Sequence, residues 1–408
     1  MRKLTAQQEE AREHLRKWRV GALFMEAGTG KTRTAVELVN TTDCDLVLWV
    51  APLRTLSPNN GIASIPDEIN KWGGFKCKNV LYYGIESISQ SDRIYTEMLN
   101  NIERYKNVFC IVDESLKIKN SDSKRTKRLL QVSKLANIKY KLILNGTPLS
   151  KNIMDLYSQM EFLSPKILNM SYKQYKNTFC CYKQTTKYGP RGNPYVVEHI
   201  TKYANIDYLY SLIKDYVYEC ELSLNITQNY YIRSYHLTEE EHYEYAQIKD
   251  YYLNEDTLGE LNDNIFFAMT QKMQHSYCCS ENKFKVVDKL FEEIPQEQTI
   301  IFCKYIQSQE ECKKHYPKAM VLSYQKDSLG LNLQNYHYTI YFDKIWDLAL
   351  RVQSGHRTFR TGQEQDCKYY DLTGDVGLES LIDKNIEKKV SMTEYFKRKT
   401  KEEIIKEL

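Results

Sequence analysis

The sequence predicts an α/β fold with two parallel-sheet lobes and a mostly helical insertion between them. Three observations carry this. Short apolar runs alternate with amphipathic stretches over residues 1–150; the rhythm stops over 151–295, where Tyr, Lys, Glu and Asn dominate; and it returns over 296–408. Alternation of strand and helix patterns argues for a parallel sheet covered on both faces. A chain of 408 residues has room for about two or three domains.

Composition narrows the class. Hydrophobic residues make up 42% and charged residues 27%, the proportions of an ordinary globular protein. No apolar run is long enough to span a bilayer, so no membrane partner is expected. Met1-Arg2-Lys3-Leu4-Thr5-Ala6-Gln7-Gln8 lacks the apolar core of a secretion signal, which predicts a cytoplasmic location. A net charge of +4 does not by itself argue for nucleic acid, and any binding groove must be local. The eleven cysteines are scattered, and Cys180-Cys181 and Cys278-Cys279 are vicinal pairs without zinc-site spacing, so reduced thiols are expected. The 33 tyrosines crowd the middle of the chain and read as core and interface filler.

Candidate strands in the first lobe are residues 20–24, 45–50, 79–82, 108–112 and 140–144, with a helix over 121–136. In the middle stretch, helical patterns cover 206–218 and 239–253, and Gly189-Pro190-Arg191-Gly192-Asn193-Pro194 marks an exposed turn. In the second lobe, strands are expected over 299–303, 319–322, 339–342 and 367–371, followed by a charged helical tail. Lys397-Arg398-Lys399 in that tail reads as a solvated face.

The first strand runs into Phe24-Met25-Glu26-Ala27-Gly28-Thr29-Gly30-Lys31-Thr32. This reads as a phosphate-binding loop. Glycines let backbone N–H groups converge on phosphate oxygens, and the following helix adds its positive end. Lys31 reaches the β- and γ-phosphates, and the Thr32 hydroxyl ligates Mg²⁺. The strict pattern has a glycine where Met25 stands, and a bare Gly-Lys-Thr also occurs in a glycine-containing helix cap.

Asp113-Glu114 follows the apolar run Val108-Phe109-Cys110-Ile111-Val112, placing two carboxylates at the C-terminal edge of a buried strand, where open α/β sheets bind ligands. There Asp113 would hold Mg²⁺ through water and Glu114 would orient and deprotonate an attacking water. Leu144-Asn145-Gly146-Thr147-Pro148-Leu149 ends another strand in a restricted turn. Near the other end, Gln353-Ser354-Gly355-His356-Arg357-Thr358-Phe359-Arg360-Thr361-Gly362-Gln363 puts two arginines three apart, on one face of the helix expected there. Guanidinium groups stabilise charge on a transferring phosphoryl group; a surface salt-bridging helix is the alternative.

These segments, in this order, resemble the Swi/Snf-like group of superfamily-two helicase ATPases, which are DEAD/DEAH-box-related DNA translocases. Leu4-Thr5-Ala6-Gln7-Gln8 resembles the adenine-sensing glutamine motif and points to Gln8. Glu26 to Thr32 resembles motif I, with Ala27, Gly28, Thr29, Gly30, Lys31 and Thr32 on the nucleotide; this superfamily does not require the first glycine. Val50-Ala51-Pro52-Leu53-Arg54-Thr55-Leu56 resembles motif Ia, Asp113-Glu114-Ser115 with Ile118-Lys119-Asn120 the Asp-Glu box, and Asn145-Gly146-Thr147-Pro148-Leu149 motif III. Ile300-Ile301-Phe302-Cys303, Gly330-Leu331-Asn332-Leu333-Gln334 and Gln353 to Gln363 resemble motifs IV, V and VI. In two respects the chain departs from its relatives: Asp327-Ser328 replace the glycine pair that opens motif V, and the second lobe is short, as in compact phage-encoded members.

The resemblance implies two recA-like lobes with ATP and Mg²⁺ between them, Glu114, Arg357 and Arg360 catalytic, and Thr32 with Asp113 on the metal. It implies sequence-independent contacts to duplex DNA from Arg54, Thr55, Thr147, Lys304 and Asn332, and a monomer that translocates. Lys183, Lys187, Tyr188 and Arg191, around the Gly-Pro turn, are read either as lying near the duplex or as a solvated loop. Two other readings stand beside this one. One is an ATP-driven switch acting on a protein partner through the helical insertion, which DNA stimulation of hydrolysis would distinguish. The other is a small-molecule kinase, which a phosphorylated product would reveal.

Overall fold

A computed structural model describes residues 3–58, 63–146, 153–188, 194–253, 263–324, 333–360 and 362–387. Thr147, Arg191, Asn332 and the Lys397-Arg398-Lys399 run lie outside the described residues. The chain divides into two compact units, Met1–Leu222 and Ser223–Leu408.

The first unit is built on β1 (Val20–Met25), β2 (Leu46–Ala51), β3 (Val80–Gly84), β4 (Val108–Asp113) and β5 (Ile138–Asn145). A two-stranded antiparallel hairpin, β6 (Cys180–Tyr188) and β7 (Pro194–Tyr203), precedes a last short strand, β8 (Val217–Cys220). The sheet runs β3-β2-β4-β5-β1-β8, with every neighbouring pair parallel. All six residues of β2 are buried. A strand buried on both faces is apolar throughout instead of alternating. Its residues nevertheless divide by parity. Leu46, Leu48 and Val50 pack with Met98 and Leu129 on one face, and Val47, Trp49 and Ala51 pack with Leu38 and Val39 on the other. Truncating Trp49, which is wholly buried, would cost about 3–5 kcal/mol.

The second unit contains β9 (Gln228–Tyr235), β10 (Thr299–Cys303), β11 (Met320–Ser323), β12 (Tyr338–Tyr341) and β13 (Cys367–Gly374), ordered β11-β10-β12-β13-β9 and again parallel throughout. One face carries a row of near-parallel rings. Phe302, Tyr341, Tyr369 and Tyr230 succeed one another across four strands with centroids 5.9, 6.1 and 4.7 Å apart.

The two parallel-sheet lobes are thus present. Among the described residues of 151–295, helices run over Met154–Leu163, Tyr172–Phe179, Ile206–Ile213, Glu239–Leu253, Asp263–Ser276 and Glu281–Glu293. The expectation that this stretch belongs to neither sheet is corrected. β8 pairs with β1, β9 pairs with β13, and the helix expected to reach residue 218 stops at Ile213. Both strands lie at sheet edges, with one neighbour each, and need little burial. Val217 is the one buried residue of β8, and of β9 only Tyr235 is buried, so neither makes an apolar run. Among the described residues no helix is long and apolar enough to cross a membrane.

Candidate nucleotide site

The strand order positions the site. β5 lies between β1 and β4, so Asn145-Gly146 separates the loop after β1 from the carboxylates after β4. Neighbouring strands are roughly 4.8 Å apart, which puts the two outer strand ends roughly 10 Å from each other. That gap suits a phosphate chain with a cation beside it.

The loop is built to present backbone. Gly28 and Gly30 both have φ of 91°, a left-handed conformation that a side chain resists. Gly30 caps the helix Lys31–Val39 and, having no side chain, leaves its first-turn N–H groups without an N-cap side-chain bond. Uncapped first-turn N–H groups with the helix dipole behind them favour an anion. Gln8 closes the loop from below. It is buried, its side-chain amide donates to the Thr29 carbonyl at 2.9 Å, and a Cβ on Gly30 would stand 2.1 Å from that nitrogen. The Gln8 carbonyl oxygen accepts from Thr5 N–H at 3.2 Å in a capping box that starts the helix Ala6–Leu15. Gln8 therefore braces the phosphate loop, a role its sequence motif does not announce.

Lys31 Nζ donates to the Met25 carbonyl at 2.7 Å and the Glu26 carbonyl at 3.1 Å. Its helix position and these two bonds hold the ammonium over the loop. A Cβ placed on Gly146 would lie 3.6 Å from both Lys31 Nζ and Ala27 N, so Gly146 leaves the space above the lysine open.

Asp113 ends β4, and Glu114 takes φ 52° and ψ 53°, a left-handed turn uncommon outside glycine. The turn lets the Glu114 N–H donate to Asp113 Oδ1 at 2.9 Å. Burial, then the charge of Glu114, pushes the Asp113 carboxyl up to about 7 against the pull of Lys31. A raised carboxyl beside a second carboxylate is a group whose charge a cation would relieve. A hydroxyl, Thr32, and a carboxylate, Asp113, are the oxygen donors that suit Mg²⁺, which is commonly held by one or two carboxylates plus substrate phosphates. The donor set fits the ion.

Several supports were missed in the sequence. Glu26 N–H donates to the Cys220 carbonyl at 3.0 Å, and Leu222 N–H donates to the Glu26 carboxylate at 2.8 Å, so β8 clamps the loop's entrance. Ser115 Oγ donates to Gln159 at 2.6 Å, tying the carboxylate turn to the helix Met154–Leu163. Lys119 pairs with Asp155 of the same helix at 3.8 Å. Spacing cannot reveal these partners, which lie 36 to 196 residues away.

Of the expected nucleic-acid residues, Arg54 is exposed, but Thr55 is buried and its hydroxyl donates to the Pro52 carbonyl at 2.8 Å. Lys304, in the second unit, is half-buried. Its Nζ bonds Gln274 at 2.5 Å, and burial pushes its pKa down to about 8.

The arginine segment departs from the helix expected of it. The helix Leu348–Gly355 ends before Arg357. Tyr369 OH donates to the Gly355 carbonyl at 3.0 Å and Thr358 Oγ1 to the same oxygen at 3.2 Å, alongside the backbone N–H groups of Thr358 and Phe359 at 3.3 and 3.2 Å. Arg357 and Arg360 follow in a turn and a bend, the first buried and the second half-exposed, and so share no helix face. Gln363 fastens the segment, donating to the Tyr336 carbonyl at 2.9 Å and facing His337 Nδ1 at 3.0 Å.

The sequence model of the SNF2-related domain matches residues 69–315. This chain belongs to the SNF2-related family. The matched span takes in Asp113, Glu114 and Gly146 and begins downstream of the phosphate loop. Similar curated proteins of the family's kind include Helicase SWR1 of Mycosarcoma maydis, 32% identical over 163 residues, which are 36% of this chain and 8% of that one. The SWI/SNF chromatin-remodeling complex subunit snf22 of Schizosaccharomyces pombe is 40% identical over 182 residues, 39% of this chain and 10% of that one. This SNF2-related chain spans a tenth or less of the length of these relatives. A solved structure described as Sulfolobus solfataricus SWI2/SNF2 ATPase core in complex with dsDNA is 17% identical, with a TM-score of 0.41, covering 100% of this chain and 97% of that one.

Proposed function

We propose that this SNF2-related chain is an ATPase that depends on nucleic acid and moves along or remodels duplex DNA. One observation carries the reading. The first unit brings a glycine loop, Lys31 and the Asp113-Glu114 pair to one sheet edge, with Gly146 between them. Family membership and the helicase and remodeling-complex names of the relatives support it.

In this reading the loop N–H groups from Ala27 to Thr32 and the Lys31 ammonium bind the triphosphate. Thr32 and Asp113 hold Mg²⁺, which when bound offsets charge on the phosphates. Glu114 orients a water and takes its proton as the water oxygen attacks the γ-phosphorus. The bond from that phosphorus to the bridging oxygen breaks, leaving ADP and inorganic phosphate. Arg360, with Arg357, supplies charge for the transferring group. Arg54 and Lys304 contact the nucleic-acid backbone, which carries no sequence information.

The test is phosphate release from ATP, measured alone and with duplex DNA, single-stranded DNA or RNA. Duplex DNA is expected to raise the rate most. A rate indifferent to every nucleic acid overturns the translocase reading, and no phosphate release under any condition overturns the ATPase.

A further inference from the structure

Behind the carboxylate turn, Ser115 and Gln159 form a buried polar pair that takes no part in the chemistry at the sheet edge. The helix Met154–Leu163 is set in the first unit's core by Leu156, Met160, Phe162 and Leu163. Gln159 lies among them with no exposed surface. Burying a carboxamide costs free energy unless it is hydrogen-bonded, and an apolar side chain of similar volume would pack there without that cost. Gln159 offsets the cost with two bonds. Its oxygen accepts from Ser115 Oγ at 2.6 Å, and its nitrogen donates to the Asp155 carbonyl, one helical turn back, at 2.8 Å. Ser115 is likewise wholly buried.

The pair acts on an unusual piece of backbone. Among the described residues, positive φ outside glycine occurs at Glu114, Asn169 and Asn205. Asparagine visits that conformation readily, and glutamate seldom does. A residue held there persists only where its surroundings fix it. Ser115 opens the short helix Ser115–Ile118 directly after Glu114, so holding Ser115 sets the direction in which the chain leaves the turn. Just past that short helix, Lys119 pairs with Asp155 at 3.8 Å. Asp155 and Gln159 stand four apart, on one face of their helix. The turn is thus fastened to that face at two points. Apolar packing is non-directional, whereas a hydrogen bond constrains angle as well as distance.

We infer that Gln159 is a positioning residue for Glu114: through the Ser115 hydroxyl it holds the left-handed turn that aims the Glu114 carboxylate at the attacking water. This rests on the reading of Glu114 as the base. A catalytic group works only within a narrow range of geometry, and a shift of about 1 Å can cost on the order of a hundredfold in rate. ATP binding falls to Lys31 and the glycine loop, on a different strand end, and does not draw on Gln159.

The test uses the full chain with Gln159→Met, Ser115→Ala and the two combined, each with Glu114 intact and with Glu114→Gln. Single-turnover hydrolysis at saturating ATP, ATP affinity by titration calorimetry and the unfolding temperature are read for each. Gln159→Met should lower turnover by about tenfold, as a displaced catalytic group does, and leave ATP affinity unchanged. It should also lower the unfolding temperature, because the buried Ser115 hydroxyl loses its partner. The combined variant removes both polar groups, so it should regain the unfolding temperature but not the turnover. With Glu114→Gln, adding Gln159→Met should lower turnover no further, since residues that act as a unit are not additive. Recovery of turnover together with the unfolding temperature in the combined variant would overturn the positioning role and make the pair a core contact. The same loss repeated on top of Glu114→Gln would overturn it too. A Glu114→Gln chain that turns over like the parent would overturn the base assignment beneath it instead.

Discussion

The two sheets carry acidic residues in and after their strands and treat them differently. In the first unit, Asp113 and Glu114 stand side by side, and the nearest cation, Lys31, is engaged with carbonyls of its own loop. The Asp113 carboxyl is left with a raised pKa. In the second unit burial raises Glu379 and Asp383 as well, but Asp343, Asp371, Asp383 and Glu379 each have a partner among the described residues. Asp343, just past β12, accepts from Lys283 Nζ at 2.8 Å and from the Lys304 backbone N–H at 2.9 Å. Asp371 binds Arg351 at 2.6 Å, Asp383 binds Lys344 at 2.6 Å, and Glu379 accepts the Gly374 N–H at 2.9 Å. Burial works against the Lys283 charge, yet Asp343 and Glu379 hold its pKa above the ordinary lysine value. The first edge keeps charge in reserve for a ligand, while the second spends its charge on fixing its own turns. A sheet edge can be a binding site or a rigid frame, and the pairing of its carboxylates decides which.

The sharpest way to break this comparison is at the reserved charges. Glu114→Gln should retain ATP binding and lower turnover by about 10²–10⁴-fold, because the metal ligands survive while the water loses its base. Lys31→Ala should weaken triphosphate binding itself. Isothermal titration beside single-turnover hydrolysis separates the two, and normal turnover in Glu114→Gln would remove the base assignment.

Arg360→Ala should cost on the order of a thousandfold in turnover, with ATP affinity changed far less. Arg357 is only 5% exposed, so its alanine variant should also lower the unfolding temperature, and a paired melt would show this. Arg360→Ala with normal kcat at saturating ATP and DNA would assign the segment a structural role.

The closed edge predicts a stability effect instead of a catalytic one. Lys283→Met leaves the buried Asp343 carboxylate without its ammonium, which should destabilise the second unit by about 3–5 kcal/mol in denaturant unfolding. Replacing both partners with apolar residues of similar size should recover most of that loss. A single variant as stable as the parent would mean that the pair is not holding the edge.

The smallest effect is expected at the loop's brace. Gly30→Ala meets both a left-handed φ and the Gln8 amide, and should cost about 1–3 kcal/mol. Adding Gln8→Ala removes the clash but not the backbone strain, so the pair should recover only part of the loss. Full recovery would mean that the Gln8 contact alone requires glycine there.

Which parts of this were legible follows from where the information lies. β2 and β10 are apolar because both their faces are covered, and that burial is written locally. The loop, Lys31 and the Asp113-Glu114 pair were legible because backbone curvature and strand-end chemistry demand particular residues in short runs. The edge strands β8 and β9 were not, since an edge strand is held by one neighbour's backbone, and Val217-Tyr218-Glu219-Cys220 has no periodicity to betray it. The helix expected through Arg357 and Arg360 failed for a related reason. The helix stops at Gly355, whose carbonyl also accepts the hydroxyl of Tyr369 from a distant strand, a contact that spacing does not reveal. The sequence alone therefore determined the lobes, the phosphate loop and its acidic partners, whose signals span a few residues each. Only the tertiary structure decided that Gln8 braces the loop, that β8 clamps it, and that Asp343, Asp371 and Asp383 each meet a cation, because each of those is a bond between residues that the chain keeps far apart.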